Sequence, residues 1–342
     1  MDVLPTVWFA AVAFLWIGYL LLEGFDLGVG MHMVLSARTE RRRRLMLNTI
    51  GPVWDGNEVW LITAGAATFA AFPLWYASLF STLYVPLTVV VLALIFRAVG
   101  IEYRGKGKTG RWTRAWDRAI AGGSLVAAFG VGALLALTTL GLPIDGNGDR
   151  VGGPLAWLGW EAVLGGLAVV GYCLVHGAVF LALKTEGEVR ERAGRFTARW
   201  LPLALLPMAL WAAILAFQAG RVAGWVLIAV AAAGAVWAWD SARRGREGRA
   251  FLGMAAFAIA GAAAVFSSAY PVVIPSTIDP AFDLTVSNAS SGDYTLGVMT
   301  WVAAFGLPVI LVYQTWTYWV FRRRLAEHHI PEPHLAAPAV RR

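Results

Sequence analysis

A chain of 342 residues that is 58% hydrophobic and only 14% charged, with a mean hydropathy of +0.63, is not an ordinary soluble domain, where about a quarter of residues carry charge. Its single cysteine, Cys173, excludes an intramolecular disulfide. A net charge of +7 would suit nucleic acid, but the basic residues sit almost wholly in alternate connections between apolar runs, so no nucleic-acid partner is expected.

The segment MDVLPTVWF lacks a basic n-region, and the apolar run after it outlasts an h-region, so no cleaved signal peptide is expected. Crossing a core of about 30 Å takes about 20 helical residues. Runs of that kind appear nine times, over 7–35, 52–72, 77–99, 119–140, 155–183, 200–219, 223–239, 251–269 and 294–321. The seventh is the shortest, and without it the charge alternation breaks. Five basic residues lie between the first two runs, seven from 97 to 118, five from 184 to 199, four from 243 to 249 and five after 321. Only Arg150 and Arg221 fall on the other side. The positive-inside rule then predicts an all-α polytopic membrane protein of nine transmembrane helices, with the N-terminus outside and the C-terminus inside. Residues 1–325 are expected to form one transmembrane domain, and 326–342 a basic, Pro-containing cytoplasmic tail without order. The outer connection 270–293, rich in Pro, Ser and Asp, either packs over the outer face or stays irregular. No internal repeat is evident.

Ionisable side chains inside a bilayer mark function by default, and four acids qualify. Glu23 and Asp26 lie three apart in the first run, and Asp55 and Glu58 three apart in the second, so each pair shares a helix face. Each would cost about 2.5–3.5 kcal/mol facing lipid at the bilayer centre. All four fall on the cytoplasmic side and can meet at similar depth. Helix capping explains Asp55, at a positive helix end, but not Glu23 or Asp26 in mid-helix. A chain of carboxyls opening to the cytoplasm is what proton delivery needs. Arg97, Trp54, Asn57 and Trp60 are supporting residues; in a purely structural reading Arg97 or a backbone amide satisfies the acids that capping leaves. Gly24, Gly28 and Gly30, with Gly51 and Gly56, read as close packing between the first two helices or against a partner.

His32 and His176 are the only histidines in apolar runs. A bis-histidine haem site is one reading; hydrogen bonding to a neighbouring helix is the commoner one. Trp75, Trp157, Trp160 and Trp225 read as an interfacial belt. Nothing resembles a nucleotide fold or a soluble catalytic constellation.

The runs GFDLGVGM at 24–31, GPVWDGNEVWLITAGAATFAAFP at 51–73, FRAVGIEYRGK at 96–106 and LGVMTWVAAFGLPVILVY at 296–313 resemble subunit II of the cytochrome bd-type quinol oxidases. The resemblance covers nearly the whole chain. It implies two four-helix bundles plus one peripheral helix, paired with a similar subunit I. It further implies a terminal respiratory complex of the prokaryotic cytoplasmic membrane that oxidises membrane quinol and reduces dioxygen to water. Subunit I of such complexes holds two b-type haems, one d-type haem and the quinol-oxidising loop; subunit II carries no haem and has no catalytic residue of its own. Small accessory subunits and membrane lipid are further partners in the family. Some relatives hold a structural quinone in this subunit, to which no residue here is assigned.

By the same resemblance Asp26 and Asp55 match acids along a cytoplasmic proton route, and Glu102 matches an acid near its mouth. Glu23 matches a position usually acidic. Glu58 stands where relatives have Gln, so it either adds a titrating site or replaces a polar contact. The rival readings are a proton-coupled secondary transporter, against which there are no paired interrupted helices in two halves, and a purely structural scaffold for a catalytic partner.

Overall fold

The computed structural model describes residues 3–107 and 109–330; the remainder of the expected tail, residues 331–342 with His334, lies outside the described residues, as does Lys108. Twelve helices and one small hairpin follow one another among the described residues. They are α1 (Val3–Leu35), α2 (Glu40–Ile50), α3 (Trp54–Ala71), α4 (Pro73–Thr82), α5 (Tyr84–Tyr103), α6 (Gly110–Leu140), α7 (Trp160–Lys184), α8 (Gly187–Ala204), α9 (Leu206–Ala219), α10 (Val222–Arg243) and α11 (Glu247–Ala269). Strands β1 (Val272–Ile274) and β2 (Leu284–Thr285) then pair antiparallel before α12 (Asp293–Val320).

Each of the nine apolar runs contains helix, and eight helical stretches, with α8 and α9 joined as one, are long and apolar enough to cross a membrane. The stretch without that hydropathy is α3, because Asp55, Asn57 and Glu58 stand in its first two turns. The chain is therefore an all-α polytopic membrane protein. The seventh and shortest run is a full helix, α10, of 22 residues.

Two runs are broken by proline. Pro86 cannot donate to the Thr82 carbonyl, and the backbone turns at Leu83 between α4 and α5. Pro202 and Pro207 bracket the break at Leu205 between α8 and α9. The carbonyl that Pro202 leaves free, Ala198 O, accepts the Trp239 indole N–H from α10 at 2.8 Å. In an apolar medium such a substitute donor is what makes the kink tolerable.

Helix α1 is the hub. It packs against α3, α6, α7 and α11, and every residue from 23 to 33 is buried. A helix enclosed all round needs close neighbours, and glycines supply the approach. A Cβ on Gly28 would lie 1.9 Å from Cys173 O and 2.8 Å from Gly177 Cα, both on α7. Gly132 meets Gly165 in the same way between α6 and α7, and Gly234 meets Gly253 between α10 and α11. Gly24, Gly28 and Gly30 thus serve α6 and α7, with Gly24 on Tyr172 and Gly30 on Ser124, while contact with the second apolar run falls to Gly18, which faces Trp60 of α3. Gly51 and Gly56 make only ordinary contacts, Gly56 beside Gln314.

The connection 270–293 packs over one end of the bundle. Ser291 donates through N to Ala71 O at 2.8 Å and through Oγ to Ala70 O at 2.7 Å, capping the C-terminus of α3. Leu142 N bonds Pro275 O and Thr277 N bonds Leu142 O, so the α6–α7 connection is stitched to it. At the opposite end α2 carries Arg41 to Arg44 across the helix termini. Arg104 forks onto Glu40 at 2.7 and 2.9 Å and reaches Asp117 at 2.6 Å, and Arg42 pairs with Glu188 and Glu327. Residues 325–330, which the sequence divides between domain and tail, are pinned here: Leu325 bridges to Thr185, and Ile330 is buried. Trp75 departs from the expected belt, being buried between Phe9 and Phe72, whereas Trp160 and Trp225 are exposed.

The Gly28 crossing yields a test. Gly28→Ala is expected to lower the thermal midpoint of the purified protein, since overpacking costs about 1–3 kcal/mol. Gly194→Ala, where a Cβ meets nothing within 4 Å, should melt with the wild type. Equal melting of both variants would show that the α1–α7 approach is not a constraint.

Candidate functional site

Three of the four predicted acids converge on Arg97. Gly123 of α6 makes the room: a Cβ there would lie 2.5 Å from Ala93 O and 3.0 Å from Arg97 Cβ, so α5 and α6 touch along the backbone and Arg97 is fully enclosed. Its Nη2 lies 2.9 Å from Glu23 Oε1 in an ion pair between two side chains with no exposure at all. Its Nη1 donates to Glu58 Oε2 at 3.3 Å, and Glu58 keeps 18% of its side chain exposed. Arg97, counted from the sequence among the loop cations, is thus the counter-ion inside the helices.

Asp26 is held differently. Asn57 Nδ2 donates to Asp26 Oδ2 at 2.6 Å and to Leu22 O at 3.3 Å, while Asn57 Oδ1 accepts from Gln314 Nε2 at 2.8 Å and from Tyr318 Oη at 2.7 Å. Asn57 and Glu58 are adjacent on α3 and so point about 100° apart. One reaches Asp26 and the other Arg97. Glu23, Asp26, Asn57 and Arg97 are all fully buried.

The expected face-sharing of Asp55 with Glu58 does not bring Asp55 to the cluster. Asp55 is exposed, and Asn57 takes the place beside Asp26 expected for it. Asp55 sits in the first turn of α3, near Glu58 but outside the enclosure. Glu102 is exposed on the last turn of α5. Trp60 is buried against Gly18 and Phe14, and Trp54 packs half-buried on the α1–α2 cluster. Sequence reasoning missed Gln314 and Tyr318. The signal was a polar pair four apart, hence on one face, inside the last apolar run.

The two histidines form a reciprocal clamp between α1 and α7. His32 Nε2 lies 2.9 Å from Leu174 O, and His176 Nε2 lies 2.9 Å from Leu21 O. A carbonyl only accepts, so each Nε2 carries the proton, and His32 Nδ1 takes the Ser36 hydroxyl at 2.8 Å. The neighbour-helix reading describes both, and neither presents Nε2 to an iron. Among the described residues no group of three or more His, Cys, Asp or Glu side chains is placed to hold a metal ion.

One guanidinium faces three carboxyls in a low-dielectric interior. The cluster is neutral as a unit when two of its three carboxyls carry protons.

A family model described as cytochrome bd terminal oxidase subunit II matches residues 4–321. The chain belongs to that family. It is similar to cytochrome bd ubiquinol oxidase subunit 2 of Bacillus subtilis strain 168, 38% identical over 332 residues that cover 95% of this chain and 98% of that one. It is also similar to cytochrome bd-I ubiquinol oxidase subunit 2 of Escherichia coli strain K12, 33% identical over 369 residues, 96% and 97% of the two chains. A chain in the solved bd oxidase of Geobacillus thermodenitrificans shares the fold, with a TM-score of 0.72 at 20% identity, covering 94% of this chain and 99% of that one.

The ion pair generates a stability prediction. Arg97→Leu strands Glu23 without a partner, which costs about 3–5 kcal/mol, so little folded protein should accumulate in membranes. Adding Glu23→Leu removes the stranded group and should restore accumulation, read by quantitative immunoblot of the membrane fraction. Failure of the double variant to recover would mean that Arg97 is needed for more than balancing Glu23.

Proposed function

We propose that this chain is the haem-free membrane subunit of a quinol:dioxygen oxidoreductase in a prokaryotic cytoplasmic membrane, and that it delivers protons from the cytoplasm to its partner. Family membership and near full-length similarity to ubiquinol oxidase subunits support the complex and its reaction. The partner, subunit I, holds two b-type haems and one d-type haem, takes electrons from membrane quinol and reduces dioxygen to water. Nine spans run from an outer N-terminus to an inner C-terminus. The distribution of Lys and Arg supports this, since moving Arg97 into the interior leaves 25 basic residues on one side against two on the other.

The observation that carries the proton reading is the graded exposure of the acids. Asp55 is open, Glu58 is partly open and touches Arg97, and Glu23 and Asp26 are sealed behind it. Asp55 and Glu102 collect protons at the inner face, Glu58 passes them inward, and the Glu23–Asp26 pair stores them. Arg97 keeps the carboxyls near neutrality, so a proton moves without leaving an uncompensated charge in the apolar interior. A scaffold alone would need one carboxylate to balance Arg97, not a graded series of acids.

Asp26→Asn keeps the shape but cannot titrate. In the assembled complex it is expected to preserve the haem spectrum while slowing quinol-driven oxygen uptake per haem at least about tenfold, equivalent to about 1.4 kcal/mol on the limiting barrier. Turnover near wild type would remove Asp26 from the path.

Topology is tested separately. With Cys173→Ala as background, Gly105→Cys, where a side chain meets nothing within 4 Å, should be labelled by an impermeant thiol reagent only from inside. Asn147→Cys, in the exposed α6–α7 connection, should be labelled only from outside. The opposite pattern overturns the orientation.

A further inference from the structure

Helix α12 stands apart from the bundle. Of its 28 residues only Leu296 is fully buried, and its large apolar side chains, Trp301, Phe305 and Val312 among them, are exposed. It is tied down at a few polar points. Trp8 Nε1 donates to Leu296 O at 3.1 Å and Thr300 Oγ1 at 3.0 Å near one end, and Lys184 reaches the carbonyls of Phe321 and Arg323 just past the other. Between these ties, Gln314 and Tyr318 contact Asn57 of α3.

The Leu22 carbonyl, which only accepts, settles which way the Asn57 amide faces, and the α12 contact agrees with it. Tyr318 Oη and Gln314 Nε2 both donate to Oδ1, so Nδ2 turns toward α1, where Asp26 Oδ2 and Leu22 O receive it. The Leu22 carbonyl has no proton to give, and a reversed amide would set oxygen against oxygen there. The amide is thus held from both sides, by donors on α12 and by acceptors on α1. The charged and titratable groups facing Asp26 are Glu23 on its own helix, Glu58 of α3, Arg97 of α5 and Tyr318 of α12. Of these, only Tyr318 belongs to an element with so little buried surface. A small displacement of α12 therefore sacrifices few apolar contacts and is transmitted directly to Asn57.

We propose that Gln314 and Tyr318 are positioning residues for Asp26: acting through Asn57, they keep an N–H donor on its carboxyl and so tie its proton exchange to the seating of α12. The proposal rests on the proton-path reading for its functional meaning, though not for its structural test. When α12 is seated, Asp26 accepts an N–H from an amide that is fixed on both sides. When α12 lifts, the amide loses both contacts on Oδ1 and only the Leu22 carbonyl and Asp26 itself still orient it, so its hold on the Asp26 carboxyl loosens.

The test compares Asp26→Asn, Tyr318→Phe and the double variant Gln314→Leu with Tyr318→Phe, each in the whole oxidase complex. Infrared difference spectroscopy identifies the Asp26 carboxyl band as the one lost in Asp26→Asn. In the double variant that band is expected to move, the haem spectrum to stay unchanged, oxygen uptake to fall at least about threefold, and the alkaline limb of the pH profile to shift. Tyr318→Phe, which keeps the ring against Phe25 and leaves Gln314 as a donor, should move the band less and hold most of the rate. If the double variant does not assemble, a moved band in Tyr318→Phe supports the proposal and an unmoved one overturns it. An unmoved band in the double variant overturns it as well, whatever the turnover. A moved band together with normal turnover in Asp26→Asn would keep the positioning role and remove the proton path.

Discussion

A charge enclosed by apolar helices must find its partner within the protein, and Arg97 is where this chain meets that demand. Removing a carboxylate or a guanidinium from water costs several kcal/mol even after relaxation, and the pair is tolerated only with close geometry and further polar contacts. Glu23 supplies the close geometry at 2.9 Å, and Glu58 extends the guanidinium toward the open side. Around that pair every neighbouring element is fitted. Gly123 is small because α6 must pass the Arg97 stem, and the inner half of α1 is sealed because Glu23 and Asp26 lie in it. The imbalance of three carboxyls to one cation is what makes the site costly.

The second demand is backbone satisfaction where water is scarce. The chain meets it with side chains borrowed from other helices. Trp239 donates to the carbonyl that Pro202 frees, and Ser291 caps the end of α3. The two histidines donate to Leu174 and Leu21 across the α1–α7 seam. The last case is parallel reciprocity: side chains lean toward the helix N-terminus, so each histidine reaches a carbonyl earlier on the partner helix. The clamp brackets the Gly28–Gly177 approach and fixes the rotation of α1, hence the direction in which Glu23 and Asp26 point. Folding and site geometry are therefore not separable on this helix.

Helix α12 answers to a different logic. It contributes little to the core and leaves a broad apolar face uncovered, yet two of its polar side chains reach the most buried part of the site. An element with little buried area and specific hydrogen bonds is governed by its polar contacts, since few apolar contacts resist its displacement. Asn57 is the relay in this arrangement, an amide whose two ends read two different helices.

Composition and periodicity alone determined the class of protein, the nine apolar runs and the acids worth attention, because the bilayer imposes a length and a polarity that a linear sequence displays directly. The same simplicity exposed Glu23, Asp26 and Glu58, since a carboxyl in an apolar run has few explanations. Which groups those acids meet was not legible. Asp55 and Glu58 share a face by spacing, but α3 is rotated so that Asn57 turns to Asp26, Glu58 turns to Arg97 and Asp55 stays outside. Rotation of a helix about its axis depends on every neighbour at once, and no single run encodes it. Nor did the glycines of α1 reveal their partners: a small residue announces a close approach without naming the helix that makes it, and α7 was chosen by the complementary Gly177 far along the chain. Arg97 stood both in the loop count and among the groups that could satisfy the buried acids, because a charge at a helix end can turn either way. Only the tertiary structure places it at the centre, where three acids make burial of a guanidinium affordable.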